Sequence, residues 1–289
     1  MKQKNLFLGY CVIALILFSY GCTNEPDNVA ISSDGVEISF DKQGKGEPTL
    51  VFVHGWTNNR SIWDAQMSHF SEKYRVIAVD LAGHGQSGDN RTTWTMSSFG
   101  EDVVAVINQL KLDQVVLVGF SMGGPVIIEA AKKAPEHVAG LVLVDNLQNI
   151  EMKIPPEMIG FMDSLMMDLV TNPTNEKLVS LGFYKRNPDA SFERVLSFLK
   201  DGPRPSWNGS INEYFKWCND DCIESLKKIQ TPIIAINSDS EPTNVEAFRE
   251  YVPSFKVKIV PDVGHLIFWD APEEFNRLLE ESIQEFLNE

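Results

Sequence analysis

Residues 119–124 read Gly119-Phe120-Ser121-Met122-Gly123-Gly124 and form the most informative segment of this chain. The run before it, Gln114–Val118, has the apolar, β-branched composition of a strand buried on both faces of a sheet. A helical segment, Gly123–Lys133, follows. Small residues flanking Ser121 let a strand and a helix approach closely through a tight turn. The segment therefore predicts a strand–turn–helix unit with the Ser121 hydroxyl exposed above the sheet edge.

Strand-like and helical segments alternate along most of the chain. The strand-like runs are Val36–Phe40, Thr49–Val53, Arg75–Val79, Gln114–Val118, Leu141–Val144, Ile233–Ile236 and Lys256–Val260. This alternation predicts an α/β fold with right-handed crossovers. It breaks at residues 148–229, which are rich in Met, Phe and Leu and contain no strand run. We predict a helical cap there, inserted into a core formed by residues 34–147 and 230–289.

Charge excludes one class of partner, and the N-terminus indicates export. The formal net charge is −15, which argues against binding nucleic acid, since such proteins use Lys and Arg against phosphates. Residues 1–21 combine a basic start with an apolar run that is short for a membrane span. With Cys22 following Gly21, they resemble a bacterial lipoprotein signal, although Ser19 stands where Leu is usual. Plain secretion and an uncleaved anchor are the alternatives.

The expected mature protein is a membrane-anchored lipoprotein on the periplasmic or outer-surface side of a bacterial envelope. Lipidation at Cys22 would tether it to a membrane surface, with residues 22–33 as a tether. Two further cysteines, Cys218 and Cys222, lie four residues apart. In an exported protein they could form a disulfide or remain free thiols. They are too few for a zinc site, and we predict no metal.

A Ser hydroxyl needs an adjacent base, usually His, to act as a nucleophile. His265 follows the late strand-like run Lys256–Val260, from which its side chain could reach Ser121. His54 and His84 lie in Gly-containing loops, and we predict structural roles for both. Ser121 and His265 are therefore the predicted nucleophile and general base.

Two further features are needed for acyl transfer. Trp56 and Met122 follow a strand end and the nucleophile, respectively, so their backbone N–H groups are candidates for an oxyanion hole. An acid must orient the imidazole. Asp239, in the loop after Ile233–Ile236, is the first choice, and Glu241 and Asp145 remain alternatives.

Together these residues resemble the α/β-hydrolase superfamily over nearly all of residues 34–289. Supporting segments are the loop Asp80–Ser87 and the stretch Gly264–Phe275. The resemblance implies a mostly parallel eight-stranded sheet flanked by helices, an inserted cap and no cofactor. The loop after Ile233–Ile236 departs from the family's common Gly-x-x-Asp pattern, so the resemblance does not choose among Asp239, Glu241 and Asp145.

The resemblance also implies a function. We expect a serine hydrolase that acts on an ester or related acyl bond through an acyl-enzyme, with an apolar small molecule as substrate. The alternatives are a ligand-binding or sensing protein with a slow or vestigial site, and a carbon–carbon bond or lactone hydrolase using the same triad. The sequence gives no oligomeric state.

Overall fold

A computed structural model describes residues 28–200, 202 and 204–288. The predicted signal peptide, residues 1–21, and the predicted lipidation site, Cys22, lie outside the described residues. Within the part that is described, no helix is long and apolar enough to cross a membrane.

One sheet of eight strands organises the fold. The strands are β1 (Val29–Ile31), β2 (Glu37–Gln43), β3 (Thr49–Val53), β4 (Arg75–Val79), β5 (Val115–Phe120), β6 (Val138–Val144), β7 (Ile233–Ser238) and β8 (Lys256–Val260). Their order across the sheet is β1-β2-β4-β3-β5-β6-β7-β8. β2 is antiparallel to both β1 and β4, and the other neighbouring pairs are parallel. The predicted α/β-hydrolase fold, with a mostly parallel eight-stranded sheet, is confirmed.

Helices cover both faces of the sheet. The core helices are α1 (Asp64–Phe70), α2 (Met96–Leu110), α3 (Gly123–Lys133), α9 (Val245–Tyr251), α10 (Ile267–Asp270) and α11 (Pro272–Asn288). Successive residues of β3 point to opposite faces, so Val51 joins the core beneath α2 and α3, and Phe52 joins the core beneath α1 and α11. Every residue of β3 is buried. The nearly all-apolar strand composition follows from this two-sided burial.

The segment between β6 and β7 is helical. It contains α4 (Pro156–Thr171), α5 (Asn175–Ser180), α6 (Pro188–Leu199), α7 (Pro205–Lys216), a π-helical turn (Trp217–Asp221) and α8 (Cys222–Leu226). This is the segment for which we predict a cap. The Glu129 carboxylate of α3 anchors its end, accepting hydrogen bonds from Trp217 Nε1 at 2.9 Å and Ser225 Oγ at 2.7 Å.

The predicted tether, residues 22–33, is wrong at its C-terminal end. Val29–Ile31 form β1, which pairs with β2, and Ala30 is buried. Ser32 donates a hydrogen bond to Asp102 Oδ1 at 2.7 Å. Three residues are too few to show a period of two, and the strand is stabilised by its partner rather than by its own composition.

Cys218 and Cys222 are free thiols. Burial raises the pKa of Cys218 to about 12 and raises the pKa of Cys222 as well. Because the thiolate is the reactive form, both side chains are poor nucleophiles in this state.

Candidate active site

Ser121 lies on a sharp turn between β5 and α3. Its φ angle is 52°, a left-handed conformation that non-glycine residues rarely adopt. Two backbone hydrogen bonds hold the turn: Ser121 N donates to Val144 O at 3.0 Å, and Gly124 N donates to Ser121 O at 2.9 Å. Such strain, on the order of 1–3 kcal/mol, persists only where the surroundings enforce the conformation. Here it presents the Ser121 side chain at the edge of the sheet.

The glycines around Ser121 are required by close contacts. A Cβ atom at Gly119 would lie 2.3 Å from the carbonyl oxygen of Gly123. One at Gly123 would lie 2.7 Å from the carbonyl oxygen of Val53, the last residue of β3. The second contact also shows that the start of α3 packs directly on the end of β3. The loop that carries Trp56 begins directly after this end of β3.

The His265 imidazole is paired with Asp145. His265 Nδ1 lies 2.6 Å from Asp145 Oδ2, and the other carboxylate oxygen accepts a hydrogen bond from Ser238 N at 2.7 Å. Asp145 is 4% exposed, so both its oxygens are held in a nearly dry environment. Its φ angle is 46°, which turns the side chain at the end of β6. In chain order the three residues run Ser, Asp, His, as in other proteins of this fold.

The prediction that Asp239 is the acid beside His265 is wrong. It is exposed, and its Oδ1 accepts a hydrogen bond from Asp262 N at 3.1 Å and lies 3.7 Å from Lys185 Nζ. β7 continues to Ser238, so Asp239 leaves the sheet beyond the histidine. Glu241 is exposed and lines the cavity at its edge, where it forms no hydrogen bond with His265 in the part of the chain described here. Asp145, one of the alternatives, occupies the position next to the imidazole.

The two loop histidines have structural contacts. His54 Nδ1 lies 2.7 Å from the carbonyl oxygen of Gly55, and its Nε2 accepts a hydrogen bond from Leu81 N at 3.1 Å. His84 Nδ1 lies 3.0 Å from the carbonyl oxygen of Ala82. Burial lowers the pKa of both imidazoles, that of His84 well below its ordinary value. Both side chains therefore fix loops as neutral groups, in agreement with the prediction.

The segment that carries His265 is hydrogen-bonded to the cap. His265 N donates to Gly182 O at 2.8 Å, and Leu266 N donates to Phe183 O at 2.8 Å. Asp270, which is 4% exposed, joins the same two segments. Its Oδ2 accepts from Gly264 N and Lys185 N, both at 2.7 Å, and its Oδ1 accepts from Arg186 N at 3.0 Å. We call this set of five bonds the Asp270 clamp.

The sequence analysis missed Asp270 and Asn146. Asn146 is 3% exposed, and its Nδ2 donates to Gly119 O at 3.0 Å and Val144 O at 3.1 Å, so it ties the end of β5 to the end of β6. Asn146 belongs to no motif, and the supporting stretch Gly264–Phe275 contains Asp270 without distinguishing it from its neighbours. For Asn146 the available signal is its position directly after Asp145 at a strand end.

Ser121, Asp145 and His265 all line one cavity of about 490 Å³ between the sheet edge and the cap. Most of the lining is apolar and comes from the cap and from aromatic side chains of the core. Among the described lining residues, the only carboxylates are those of Asp145 and Glu241, and none is Lys or Arg. The described residues contain no group of three or more His, Cys, Asp or Glu side chains that could hold a metal ion.

Comparisons with known proteins agree with this architecture. A family model described as alpha/beta hydrolase fold matches residues 48–272. The chain is 27% identical to a non-heme haloperoxidase of Rhodococcus erythropolis over 260 residues, which cover 81% of this chain and 91% of that protein. It is 28% identical to a bifunctional esterase/perhydrolase of Acinetobacter calcoaceticus over 222 residues, which cover 73% of this chain and 80% of that protein. The solved structure of an esterase from Exiguobacterium antarcticum matches with a TM-score of 0.75 at 23% identity, and the match covers 89% of this chain and 99% of that one.

Proposed function

Because this chain belongs to the α/β-hydrolase family, we propose that it is a serine hydrolase that cleaves a carboxylic ester through an acyl-enzyme. The observation that carries the proposal is the 2.6 Å contact between His265 Nδ1 and the buried Asp145 carboxylate, in the same cavity as the strained Ser121. Nucleophile, base and orienting acid are the groups that this chemistry needs.

In the proposed acylation step, Ser121 Oγ forms a bond to the ester carbonyl carbon while His265 Nε2 takes the hydroxyl proton. Asp145 holds the imidazole with its proton on Nδ1 and stabilises the imidazolium. The backbone N–H groups of Trp56 and Met122 donate to the oxyanion, and each such donor is worth about 3–4 kcal/mol of barrier. The carbon–oxygen bond to the alcohol then breaks, and His265 returns the proton to the leaving alkoxide.

Deacylation repeats these steps with water. The water oxygen attacks the acyl carbon while His265 takes a proton from the water. The bond between the acyl carbon and Ser121 Oγ then breaks, His265 returns the proton to Ser121 Oγ, and the carboxylic acid leaves. The enzyme is regenerated with no change in oxidation state.

The lining of the cavity supports a neutral, apolar substrate. A carboxylate or phosphate on the substrate would find no Lys or Arg among the described lining residues, and it would lie near Asp145 and Glu241. Burying such a charge without a partner is costly. We therefore propose uncharged esters as the substrate class.

Labelling and turnover together test the proposal. The wild-type protein should react with a fluorophosphonate probe and hydrolyse p-nitrophenyl acetate, and Ser121→Ala should do neither. Asn149→Ala, outside the cavity, is a matched surface control. Undiminished turnover by Ser121→Ala would refute the mechanism. Tight ligand binding by a wild-type protein that turns over no ester would instead support a binding or sensing role.

The proposed location is the surface of a bacterial envelope membrane, reached through lipid on Cys22. Its support is the sequence of residues 1–22 alone, a basic start and a short apolar run that ends at a cysteine. Mass spectrometry of the mature N-terminus checks this: an unmodified Cys22 in protein from the native host would contradict it.

A further inference from the structure

One side of α4 runs from solvent into the cavity. Met158, Met162, Met166 and Val170 follow one another at intervals of four residues and lie on one side of the helix. We call them the α4 stripe. Met162, Met166 and Val170 line the cavity that contains Ser121. Met158, one turn further from the cavity, is 46% exposed, whereas Val170 is 7% exposed. The stripe is therefore an apolar surface that continues outward from the active-site cavity.

The extent of the stripe suits a chain rather than a compact group. From Met158 to Val170 the helix rises about 18 Å. Leu181, which follows α5, also lines the cavity although it is 44% exposed, so α4 is not the only element that contributes a solvent-exposed apolar side chain among the described residues. Exposed Met and Leu side chains at the mouth of a cavity indicate that an apolar ligand covers them in use.

We propose that the α4 stripe binds the extended apolar chain of the substrate, and that the substrates are therefore long-chain esters. The inference rests on the proposed function, because it assumes that the ester bond lies at Ser121. It adds to that function a chain-binding surface and a dependence of rate on chain length.

The chemistry of the stripe agrees with this occupant. Methionine is unbranched and polarisable, so it adapts to a flexible alkyl chain better than a branched side chain does. No cation lies among the described lining residues to bind an acidic end of the chain. The stripe also begins in the cavity that holds Ser121. One ester molecule can therefore place its carbonyl carbon at Ser121 and its apolar chain on the stripe.

Two series of esters test the proposal on the purified full-length chain. The first is p-nitrophenyl esters with acyl chains of increasing length, and the second is alkyl acetates with increasing length on the alcohol side. The variants are Met158→Gln and the double variant Met162→Gln with Met166→Gln. Glutamine has a similar length and helix propensity but replaces the thioether by an amide.

We expect the wild-type kcat/KM to rise with chain length in one of the two series, which identifies the side of the ester that the stripe holds. Each variant should lower the ratio of kcat/KM for the longest ester of that series to kcat/KM for p-nitrophenyl acetate about tenfold. Circular dichroism of each variant shows whether it folds. Met167→Gln, on α4 but outside the cavity lining, and Met152→Gln, exposed and outside α4, are the matched controls.

The results separate failure of this inference from failure of the proposed function. If the wild-type protein hydrolyses no ester, the proposed function fails and the inference fails with it. If it hydrolyses acetate but shows no rise with length in either series, the inference alone is overturned. It is also overturned if the stripe variants alter self-association or vesicle binding and leave the length profile unchanged, because another molecule then covers the stripe.

Discussion

Replacing Asp145 by Asn tests the pairing that defines the proposed site. Asn keeps the size of Asp, and its amide oxygen can still accept from Ser238 N, which now bonds to Asp145 Oδ1 at 2.7 Å. Its amide nitrogen would then face His265 Nδ1, where Asp145 Oδ2 lies at 2.6 Å. Two donors cannot share a hydrogen bond, so the imidazole would place its proton on Nε2. That nitrogen could no longer take the proton of Ser121.

The expected effect on activity is large and the effect on folding is small. The same exchange in a serine protease triad lowers kcat about 10⁴-fold, which is about 5.5 kcal/mol of barrier, and we expect a loss of 10³- to 10⁴-fold here. One hydrogen bond to a charged group is lost, so the free energy of unfolding should fall by about 1.5–3 kcal/mol at most. Burst and steady-state kinetics with p-nitrophenyl acetate measure the loss in kcat. Urea titration followed by circular dichroism measures the change in the free energy of unfolding.

Asp239→Asn is the matched control, because Asp239 is exposed and contacts Asp262 N and Lys185 instead of the histidine. It should change kcat less than twofold. A large loss in Asp239→Asn, with Asp145→Asn close to wild type, would refute the assignment of the acid. Equal and small losses in both variants would refute the need for an orienting carboxylate at this site.

Two further predictions concern the surroundings of the site. Asp270→Ala removes the acceptor of three backbone N–H groups, of which that of Gly264 is buried and those of Lys185 and Arg186 are partly buried. We therefore expect a loss of about 1–3 kcal/mol in urea unfolding and a fall in kcat of about 10- to 100-fold as His265 shifts, with Asp270→Asn closer to wild type. An unchanged kcat in a folded Asp270→Ala protein would contradict a positioning role. Burial holds the pKa of the His84 imidazole well below 6.5. As the pH falls below about 6.5, this imidazole therefore binds a proton in the unfolded chain but not in the folded one. The free energy of unfolding should then fall by up to about 1.4 kcal/mol per pH unit. His84→Asn should reduce that loss between about pH 6.5 and 5 in urea titrations relative to the wild-type protein, and an unchanged slope in His84→Asn would contradict the prediction.

Local sequence patterns predicted the turn that carries Ser121 and the loop that carries His265, because each depends on a few neighbouring residues. Ser121 lies between Gly119 and Gly123, and the structure gives both glycines contacts that exclude a side chain. His265 follows β8, which the strand-like run Lys256–Val260 already indicates. The meeting of the two in one cavity follows from the parallel strands, whose C-terminal ends share one edge of the sheet.

The carboxylate that contacts His265 could not be predicted in the same way, because its identity depends on the order of strands across the sheet. β6 lies directly beside β5, so Asp145 at its end is one strand from Ser121, whereas the loop after β7 is two strands away. Both loops carry carboxylates, and composition does not distinguish them. The choice also depends on the positive φ angle of Asp145 and on the actual end of β7 at Ser238, which are products of tertiary packing.

The Asp270 clamp connects the cap to the segment that carries His265, and so to the proposed active site. Gly182 and Phe183 of the cap accept hydrogen bonds from the backbone of His265 and Leu266, and a Cβ atom at Gly264 would lie 2.5 Å from the Cα atom of Tyr184. This segment cannot move away without breaking the bonds that hold the histidine loop. The α4 stripe takes no part in this clamp, and it runs from the cavity to an exposed outer turn of the helix. The apolar path between solvent and the cavity therefore lies along a helix that is not bonded to the histidine loop in the described part of the chain.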